Sequence, residues 1–491
     1  MELESVLQFL ENKAILITGA TGFLGKMLVE KVLRVQPNVK KLYLLIRASD
    51  NDFAYQRMHT EIIGKELFRV LRERWDTEFE SFVSEKMAAV SGDISFENLG
   101  LDANDEEKLW KEIDIIINSA ATTRFDGRYD VALDINTLGV LHVLGFAKKC
   151  TKLRMLVHIS TAYVCGERDG VIQEDTIFCT GKTIKSTSKL DIKEEQKLVA
   201  EKLQELRNQN ASEDTITTIM KEFGIKRAKL FGWPNTYVFT KAMGELCVKV
   251  SKENLPLIII RPTVVTSTYK EPFPGWMEGF RTIDSIVVGH GKGKVKCFLA
   301  NPMSIADLIP GDMVVNSIIV AMARHANQCC EIIYHIGSSM RNPIRMSNIR
   351  NFSLQYFTKN PLTNKKGKLI KVGNCIFFSN VAVFQAYMVI RFKLPLKILK
   401  LGNIASCHHF PDVHTDNNRK LKLMMRLIQL YKPYALFNGI FDDSNSENLR
   451  QKLREISGKE METLNFDPKC IDWEDYMINT HFPGLVKYVI K

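Results

Sequence analysis

The sequence predicts an α/β protein in which a doubly wound parallel sheet precedes a mostly helical C-terminal part. A short apolar run at 15–17 leads into a glycine-rich turn, and the amphipathic segment at 23–35 has helical spacing. Strands that alternate with helices form a parallel sheet, and ligands bind at the carboxyl ends of its strands. Later apolar runs typical of buried strands lie at 42–46, 87–90, 113–117, 155–159, 257–260 and 332–336.

The glycine-rich turn after the first strand predicts a dinucleotide site. Gly19 lets the backbone turn, Gly22 lets a pyrophosphate approach the main chain, and Gly25 lets helix and strand pack closely. The pyrophosphate then lies on unpaired N–H groups at the positive end of the helix dipole. A glycine turn without a ligand is the alternative, but its place between a strand and a helix favours the dinucleotide. The predicted contacts here are Gly19, Thr21, Gly22, Phe23, Leu24 and Gly25.

Residues after the later strands extend the predicted cofactor site. Arg47 follows the second strand, where NAD-preferring sites carry an acid, and a guanidinium suits a 2′-phosphate, so the sequence predicts NADPH. A solvent-exposed arginine is the alternative. Asp93 can reach an adenine edge, and the segment 261–264 would close over the nicotinamide. The remaining predicted cofactor contacts are Asp93, Ile94, Asn118, Ala120, Asn136, Lys241, Pro262, Thr263 and Val264.

Tyr237 and Lys241 form the predicted catalytic pair. Four residues apart, they share one face of a helix. A phenol with a pKa of about 10 is a weak acid–base catalyst at neutral pH unless a cation stabilises its phenolate, and Lys241 supplies that cation and can hold the cofactor's ribose. Ser160 and Thr161 end the fifth strand, where the nicotinamide should lie. Because such a pair also arises by chance, the prediction depends on the glycine turn and Thr161 as well.

Two segments allow alternative interpretations. The polar, lysine-rich stretch at 167–230 predicts a solvated helix over 191–208, and a basic flap over an anionic substrate is the alternative. The aromatic loop at 271–280 either receives a substrate or packs internally. The choice in each case depends on how much of the segment the fold buries.

Composition limits the class of protein. The 491 residues allow more than one domain, and 45% hydrophobic with 25% charged residues is typical of globular proteins. A net charge of +11 without a nucleic-acid-binding motif favours an anionic membrane surface or polyanionic small molecules. The ten cysteines contain no C-x-x-C pair and predict reduced thiols in an intracellular protein. The acidic N-terminal lead predicts no targeting peptide, and no apolar run reaches the roughly 18–20 residues of a spanning helix.

The C-terminal part begins after a basic turn at 365–371, which is predicted to be a linker. The apolar run at 375–390 is too short to span a bilayer and predicts a buried helix. Arg391, Lys393 and Lys397 then alternate with apolar side chains, which fits either a helix lying in a membrane interface or core packing. A nearby Cys/His cluster has no zinc spacing, so it predicts polar packing and no metal: Cys407, His408, His409 and His414.

The motifs together resemble the extended short-chain dehydrogenases, which have a Rossmann-like fold: Thr-Gly-Ala-Thr-Gly-Phe-Leu-Gly, Ser-Thr-Ala-Tyr-Val, Tyr-x-x-x-Lys and Arg-Pro-Thr. Nearly end to end, the chain more closely resembles the plant alcohol-forming fatty acyl-CoA reductases, most specifically in Gly-Trp-Pro-Asn-Thr-Tyr-Val-Phe-Thr-Lys-Ala-Met-Gly-Glu at 232–245. The resemblance implies a proton donor at Tyr237, its partner Lys241, and a carbonyl-orienting hydroxyl at Thr161 beside Ser160. It also implies a place on the cytoplasmic face of the endoplasmic reticulum membrane, with the cytoplasm as the alternative. Some members of the family have plastid-targeting extensions, and this chain is expected to have no plastid transit peptide.

The implied activity is NADPH-dependent reduction of a long-chain acyl-CoA, through a bound aldehyde, to a primary alcohol for wax, suberin or pollen-wall lipids. The alternatives are a reductase that releases aldehyde, a nucleotide-sugar epimerase or dehydratase, and a catalytically silent NADP sensor. The expected partners are the acyl-CoA and, through the C-terminal part, a membrane surface, but no nucleic acid. The predicted domains are an NADP-binding domain at 1–358 with substrate-binding elements at about 167–232 and 266–312, a linker at 359–384 and a C-terminal domain at 385–491.

Overall fold

A parallel sheet lies at the centre of the fold. The structure, a computed structural model, describes residues 5–176, 190–280, 282–326, 328, 331–405, 413–456 and 458–490. The strands within these residues are β1 (Ala14–Thr18), β2 (Lys41–Ile46), β3 (Met87–Ser91), β4 (Ile115–Asn118), β5 (Met155–Ile159), β6 (Gly170–Ile172), β7 (Leu257–Pro262), β8 (Val264–Thr266), β9 (Cys297–Leu299), β10 (Ile305–Ala306), β11 (Leu308–Pro310), β12 (Glu331–Ile336), β13 (Ile344–Arg345), β14 (Ile376–Phe378) and β15 (Gly439–Phe441). Seven of them form one sheet in the order β12-β7-β5-β4-β1-β2-β3, with every neighbouring pair parallel. The predicted doubly wound parallel sheet is confirmed.

Helices flank the sheet and make up most of the remaining described chain. The α-helices are α1 (Val6–Phe9), α2 (Phe23–Val35), α3 (Asn51–Met58), α4 (Arg69–Trp75), α5 (Phe79–Lys86), α6 (Ala103–Glu112), α7 (Tyr129–Leu133), α8 (Gly139–Lys149), α9 (Ile192–Asn208), α10 (Glu213–Leu230), α11 (Thr236–Ser251), α12 (Asp284–Gly291), α13 (Gly311–Arg324), α14 (Met346–Lys359), α15 (Val381–Met388), α16 (Leu394–Ala405), α17 (Val413–Ala435), α18 (Ser444–Arg454), α19 (Gly458–Thr463), α20 (Trp473–Asp475) and α21 (Phe482–Tyr488). Segments of π-helix lie at His59–Ile63, Asp134–Leu138, Val389–Lys393 and Tyr476–His481. Helix α8 packs against α11, and α2 packs against α13.

One face of the sheet carries a large apolar core. Side chains alternate between the two faces of a strand, so Leu16, Ile116 and Leu156 share a face, where they are buried with Val143 and Phe146 of α8. Close packing of this layer leaves little freedom to the strands beneath it. The carboxyl ends of β1, β4 and β5, from which the site is built, are therefore held in fixed register.

The continuous helix from Tyr129 to Lys149 combines α7, a π segment and α8. Among the described residues, it alone is long and apolar enough to cross a membrane, but most of its apolar window is buried inside the fold. Because Val140, Val143 and Phe146 belong to the apolar core, burial against the sheet explains its composition.

Two compact units divide the chain. The sheet unit comprises Met1–Gly279, Asp307–Asn342 and Gly439–Lys491, and the helical unit comprises Phe280–Ala306 and Pro343–Asn438. The helical unit contains the pairs β9–β14 and β10–β13. The boundaries predicted at 358 and 385 do not coincide with these units, because the last segment of the chain belongs to the sheet unit. The sequence domains themselves stay a prediction.

The apolar run at 375–390 differs from its prediction as a buried helix. Its first residues form β14, which pairs in parallel with β9. The rest forms α15, in which Phe384 and Met388 are buried but Val383 is 56% exposed. The run is thus divided between a strand and a helix with one buried side, and short apolar segments of this kind do not distinguish the two by composition.

Candidate active site

The glycine turn joins β1 to α2 at the point where the strand order reverses. Gly19 has φ +70°, a conformation that side chains disfavour, and a Cβ there would lie 2.6 Å from the backbone nitrogen of Ala120. A Cβ on Gly25 would collide with the carbonyl oxygen of Gly19. Gly22 begins α2 as its N-cap without a side-chain hydrogen bond. The turn therefore has the strand-to-helix geometry predicted for it, with backbone N–H groups at the helix start.

A cavity of about 660 Å³ opens beside this turn at the carboxyl edge of the sheet. Its size suits a nucleotide, since small-molecule pockets span roughly 300–1,000 Å³. Seven residues predicted for cofactor binding line it: Gly19, Thr21, Gly22, Arg47, Asp93, Ile94 and Ala120. The structure thus brings together the ends of β1, β2, β3 and β4, as the parallel sheet requires.

The cavity has a cationic rim, part of which the sequence analysis missed. Besides the exposed Arg47, it is lined by Arg57, Arg124 and Lys221. Arg57 pairs with Glu61 and also donates to the carbonyl of Arg47. Within the described residues Arg47, Arg124 and Lys221 form no ion pair, so their charge is available to an anion. Arg57, Arg124 and Lys221 are far apart in the sequence and belong to no common motif, so the sequence analysis could not identify them as one group.

Lys241 is brought against the end of β5. Its Nζ donates to the carbonyl oxygen of Ile159 at 2.7 Å, and Ile159 directly precedes Ser160 and Thr161. The side chain is buried, and this burial lowers the pKa of Lys241 to about 8. The predicted lysine and the predicted strand-end hydroxyls therefore belong to one cluster, assembled from α11 and β5.

Tyr237 lies in the first turn of α11. Asn235 begins that helix, because its side-chain oxygen accepts from the backbone N–H of Val238 at 3.1 Å. The Tyr237 ring is half-buried and stacks on Phe125 with ring centroids 6.1 Å apart. The capped helix start thus fixes Tyr237 one turn before Lys241.

Thr161 begins a short 3-10 turn, Ala162–Cys165. Its hydroxyl accepts from the N–H of Tyr163 at 3.4 Å and donates to the carbonyl of Pro262 at 3.5 Å. Both contacts are at the long limit of hydrogen bonding. The Thr161 hydroxyl therefore retains most of its capacity to bind a substrate oxygen.

One buried hydroxyl tests whether a nicotinamide cofactor fits. Ser160 Oγ is buried and has no hydrogen-bond partner among the described residues. Buried polar groups are almost always satisfied, so this orphaned hydroxyl indicates a missing ligand. Ser160 follows β5, and Thr263 follows β7, its neighbour in the sheet, where the Thr263 hydroxyl binds the buried carboxylate of Asp307. The amide or a ribose hydroxyl of a nicotinamide nucleotide would supply the partner of Ser160, so this residue fits the cofactor.

Three predicted cofactor residues serve the scaffold. Asn136 is buried and binds the backbone N–H and carbonyl of Thr122 and the hydroxyl of Thr240, each at 3.0 Å. Asn118 accepts from the Thr18 hydroxyl at 2.8 Å. Val264 belongs to β8, which pairs with β11. Asn136 and Asn118 hold the segments that line the cavity, and direct contact of any of the three with the cofactor stays a prediction.

The aromatic loop packs internally. Trp276 is 3% exposed and stacks on Phe23 of α2 with centroids 5.2 Å apart. The buried carboxylate of Asp312 accepts from three consecutive backbone N–H groups of the loop, at Tyr269, Lys270 and Glu271. Phe23 thus supports the turn from the side of this loop, and the packing alternative is favoured for Trp276.

The lysine-rich stretch forms two helices, and the second reaches the cavity. The predicted solvated helix is confirmed as α9, but its Glu195 is buried, accepts from the Tyr129 hydroxyl at 2.7 Å and pairs with Arg227. This contact anchors α9 and α10 to α7. Thr217 and Lys221 of α10 line the cavity, so one helix of the stretch contributes to the site.

The described residues contain no cluster of three or more His, Cys, Asp or Glu side chains that could hold a metal ion. Cys407, His408 and His409 lie outside the described residues, as does the side chain of His414. Their predicted polar packing stays a prediction.

Plant proteins have similar sequences over the whole chain. Two family models, both described as male sterility protein, match residues 17–318 and 391–491. The alcohol-forming fatty acyl-CoA reductase of Simmondsia chinensis is 51% identical over 493 residues, with all of both chains covered. The probable fatty acyl-CoA reductase 4 of Arabidopsis thaliana is 52% identical over 488 residues, 99% of each chain.

A solved structure shares the fold at lower sequence similarity. The reductase domain of a nonribosomal peptide synthetase from Mycobacterium tuberculosis superposes with a TM-score of 0.59 at 18% identity, covering 98% of this chain and 94% of that one. This likeness shows the shared fold. Full-length identity above half to plant reductases leads to one conclusion: the chain belongs to the fatty acyl-CoA reductase family.

Proposed function

We propose that this protein reduces a long-chain acyl-CoA to the primary alcohol and CoA at a single site, with two NADPH and two protons consumed per turnover. The observation that carries the proposal is the contact of Lys241 Nζ with the Ile159 carbonyl. It holds the Tyr-x-x-x-Lys helix against Ser160 and Thr161 in a member of the fatty acyl-CoA reductase family. The long-chain alcohol would then serve wax, suberin or pollen-wall lipids.

The residues that would hold NADPH follow from the cavity. Backbone N–H groups at the start of α2 would bind the pyrophosphate, and Arg47 would bind the 2′-phosphate that distinguishes NADPH from NADH. The orphaned hydroxyl of Ser160 would bind the nicotinamide end, beside Thr263, and Lys241 would bind the adjoining ribose. NADPH, when bound, supplies the hydride for each reduction.

The chain's own part in the chemistry is to polarise a carbonyl and to move protons. The hydroxyls of Thr161 and Tyr237 donate to the thioester oxygen and stabilise the negative charge that develops there. Addition of a hydride to the thioester carbonyl would give a hemithioacetal. Its C–S bond then breaks, CoA leaves with the electron pair of that bond, and the aldehyde remains. The same two hydroxyls then bind the aldehyde oxygen, and Tyr237 gives its proton to the alkoxide as a general acid. One site serves both steps because both place charge on the same oxygen.

The test is the product balance of the purified protein. Incubation with NADPH and a panel of saturated acyl-CoAs is followed by chromatography of alcohol, aldehyde and CoA. Alcohol formed with two NADPH oxidised per CoA released supports the proposal. Free aldehyde with one NADPH oxidised assigns the two-electron reaction instead, and no product despite bound NADPH contradicts acyl-CoA reduction.

The assignment of Tyr237 is tested in the same assay. We expect Tyr237→Phe to abolish turnover while the NADPH dissociation constant changes little, because the ring and its stacking on Phe125 remain. Tyr55→Phe, which removes the hydroxyl of an exposed tyrosine on α3, is the matched control and should keep full activity. Loss of NADPH binding in Tyr237→Phe would contradict the role of proton donor.

We also propose that the helical unit binds the cytoplasmic surface of the endoplasmic reticulum membrane peripherally. The π segment Val389–Lys393 and α16 carry basic side chains between apolar ones, and Ile390, Ile398 and Leu401 are each about two-thirds exposed, at 66–67%. Apolar residues beside lysines suit an anionic lipid interface.

Flotation with lipid vesicles tests this surface. We expect binding to vesicles of phosphatidylcholine with phosphatidylserine, weaker binding at high salt, and loss of binding in Ile390→Ser with Ile398→Ser. Val250→Ser, which changes another exposed apolar residue in the sheet unit, is the control. Equal flotation of all variants would contradict the proposal.

A further inference from the structure

A row of polar side chains crosses the apolar core beneath α11. Each of three neighbouring strands carries one buried polar residue at the same level, namely Thr18 in β1, Asn118 in β4 and His158 in β5. The parallel register pairs Thr18 with Asn118 and Asn118 with His158. The three side chains lie on the face that α8 and α11 cover. The row ends at Lys241, whose Nζ is 3.4 Å from Nε2 of His158.

The hydrogen bonds along this row run in one direction, from the backbone at Ala120 to His158. The N–H of Ala120 donates to Thr18 Oγ1 at 3.1 Å, so the Thr18 proton goes to Asn118 Oδ1 at 2.8 Å. The Asn118 amide nitrogen then faces His158 Nδ1 at 3.3 Å. An amide nitrogen only donates, so Nδ1 accepts and the proton of the neutral ring is on Nε2. The row therefore presents an N–H group to Lys241.

An N–H group facing Lys241 distinguishes the two charge states of the amine. A neutral amine accepts a hydrogen bond through its lone pair, whereas an ammonium group has only donors. The ring itself stays neutral, because burial together with the nearby Lys241 holds the pKa of His158 well below its usual value. His158 thus stabilises the neutral form of Lys241, in the same direction as the burial of the amine.

Other charges around Lys241 oppose this effect only in part. Glu245, one turn further along α11, raises the pKa of Lys241. Its carboxylate is itself bound by Arg261 of β7 through two hydrogen bonds of 3.0 and 2.5 Å, so much of its charge is neutralised. Tyr237, one turn earlier, shares the helix face of Lys241. His158 is the group from the sheet that contacts the amine by its side chain within the described residues.

We propose that His158 is a positioning residue that controls the charge of the Lys241 amine through the row formed by Thr18, Asn118 and His158. The proposal rests on the proposed function. When Tyr237 has given its proton to the alkoxide, the Lys241 ammonium stabilises the phenolate, and the neutral amine that His158 binds does not. The phenolate takes up a proton from the solvent before the next reduction. Two reductions per CoA need this cycle to be repeated at one site.

Two variants of His158 separate control of charge from support of the fold. His158→Leu removes the N–H that faces Lys241, and His158→Gln restores an N–H from a side-chain amide at a similar reach. The pH dependence of NADPH binding, followed by nicotinamide fluorescence, should show an inflection near pH 8, the pKa of Lys241. We expect His158→Leu to move this inflection upward by about half to one pH unit, because that shift corresponds to the free energy of one net hydrogen bond. His158→Gln should stay close to the unmodified protein.

An inflection that does not move in folded His158→Leu overturns the proposal. A measurement on the unmodified protein decides if that variant fails to fold: ¹⁵N spectra of histidine-labelled protein, with the signal of His158 identified by its absence in His158→Gln. A neutral ring protonated on Nε2 supports the row, and protonation on Nδ1 overturns it. Neither readout needs acyl-CoA, so failure of the proposed function would be seen separately in the product balance.

Discussion

At the scale of single residues, Lys241 combines a place in the site with a cost to the fold. Burial lowers its pKa from 10.5 to about 8. Between these pH values the unfolded chain binds the additional proton, so the free energy of unfolding rises as pH increases from 8 to 10.5, and below pH 8 the buried charge destabilises the protein. We expect Lys241→Met to abolish turnover and to raise Tm relative to the unmodified protein more at pH 7 than at pH 10.

Calorimetry at the two pH values measures this difference. Lys249→Met, on the exposed side of the same helix, is the control and should show no pH-dependent difference. Equal changes of Tm at pH 7 and pH 10 in Lys241→Met would mean that the buried amine carries no charge at neutral pH.

The proposed preference for NADPH depends on Arg47. It is exposed, lines the cavity and forms no ion pair among the described residues. A charge-assisted hydrogen bond contributes about 1.5–3 kcal/mol, so Arg47→Ala should lower kcat/KM for NADPH by at least about tenfold. Activity with NADH is the internal control and should change little. A parallel loss with both cofactors would place Arg47 at a group they share.

At the scale of elements, Glu195 anchors α9 and α10 to the wall of the site. The buried carboxylate binds both Tyr129 and Arg227, and its removal leaves the guanidinium without a partner. Loss of one member of a buried ion pair costs about 3–5 kcal/mol. Because Arg227 is itself partly exposed, we expect Glu195→Ala to lower the free energy of unfolding by about 2–3 kcal/mol. It should also raise the dissociation constant for NADPH, since α10 carries Thr217 and Lys221 to the cavity.

Urea unfolding and fluorescence titration measure the two effects. Glu201→Ala removes an exposed carboxylate from the same helix and serves as the control. Full stability of Glu195→Ala would show that the anchor contributes nothing, and a stability loss with unchanged NADPH binding would separate α10 from the site.

At the scale of the whole molecule, the segment 439–490 completes the sheet unit. Strand β15 pairs with β6, and the backbone N–H groups of His335 and Asn445 both donate to the buried Glu174. The Tyr476 hydroxyl donates to the carbonyl of Ser267 at 2.9 Å. We expect a chain that ends at residue 438 to lose NADPH binding together with its cooperative unfolding transition. Fluorescence titration and circular dichroism measure this, and unchanged affinity would show that the segment is dispensable.

Much of the fold could be predicted because its signals are local. Gly19 has a positive φ and Gly25 lies against the carbonyl oxygen of Gly19, so both glycines are required within one turn. The apolar runs around β1, β2 and β5 are too short and too rich in branched residues for helices. The helix at 23–35 has the bounds that its spacing predicts. Tyr237 and Lys241 were identifiable because four residues span one helical turn.

The remaining features depend on contacts between distant segments. His158 looked like one more residue of an apolar strand, and only the register of three strands shows that it continues the row from Thr18. Lys221 reaches the cavity because Glu195 anchors its helix, which no spacing indicates. The first part of the run at 375–390 forms a strand because it pairs with the edge of β9. One polar residue at the same level of several buried strands is a signal that would have found His158.

The pairing of β6 with β15 has a consequence for synthesis on the ribosome. Residues 170–172 leave the ribosome long before residues 439–441 are made, an interval on the order of tens of seconds at ordinary rates of translation. During that time the edge of β6 has no partner strand in the nascent chain, and Glu174 lacks the N–H group that Asn445 later donates to it. Unpaired strand edges promote aggregation, so expression at low temperature or with abundant chaperones should raise the yield of soluble protein.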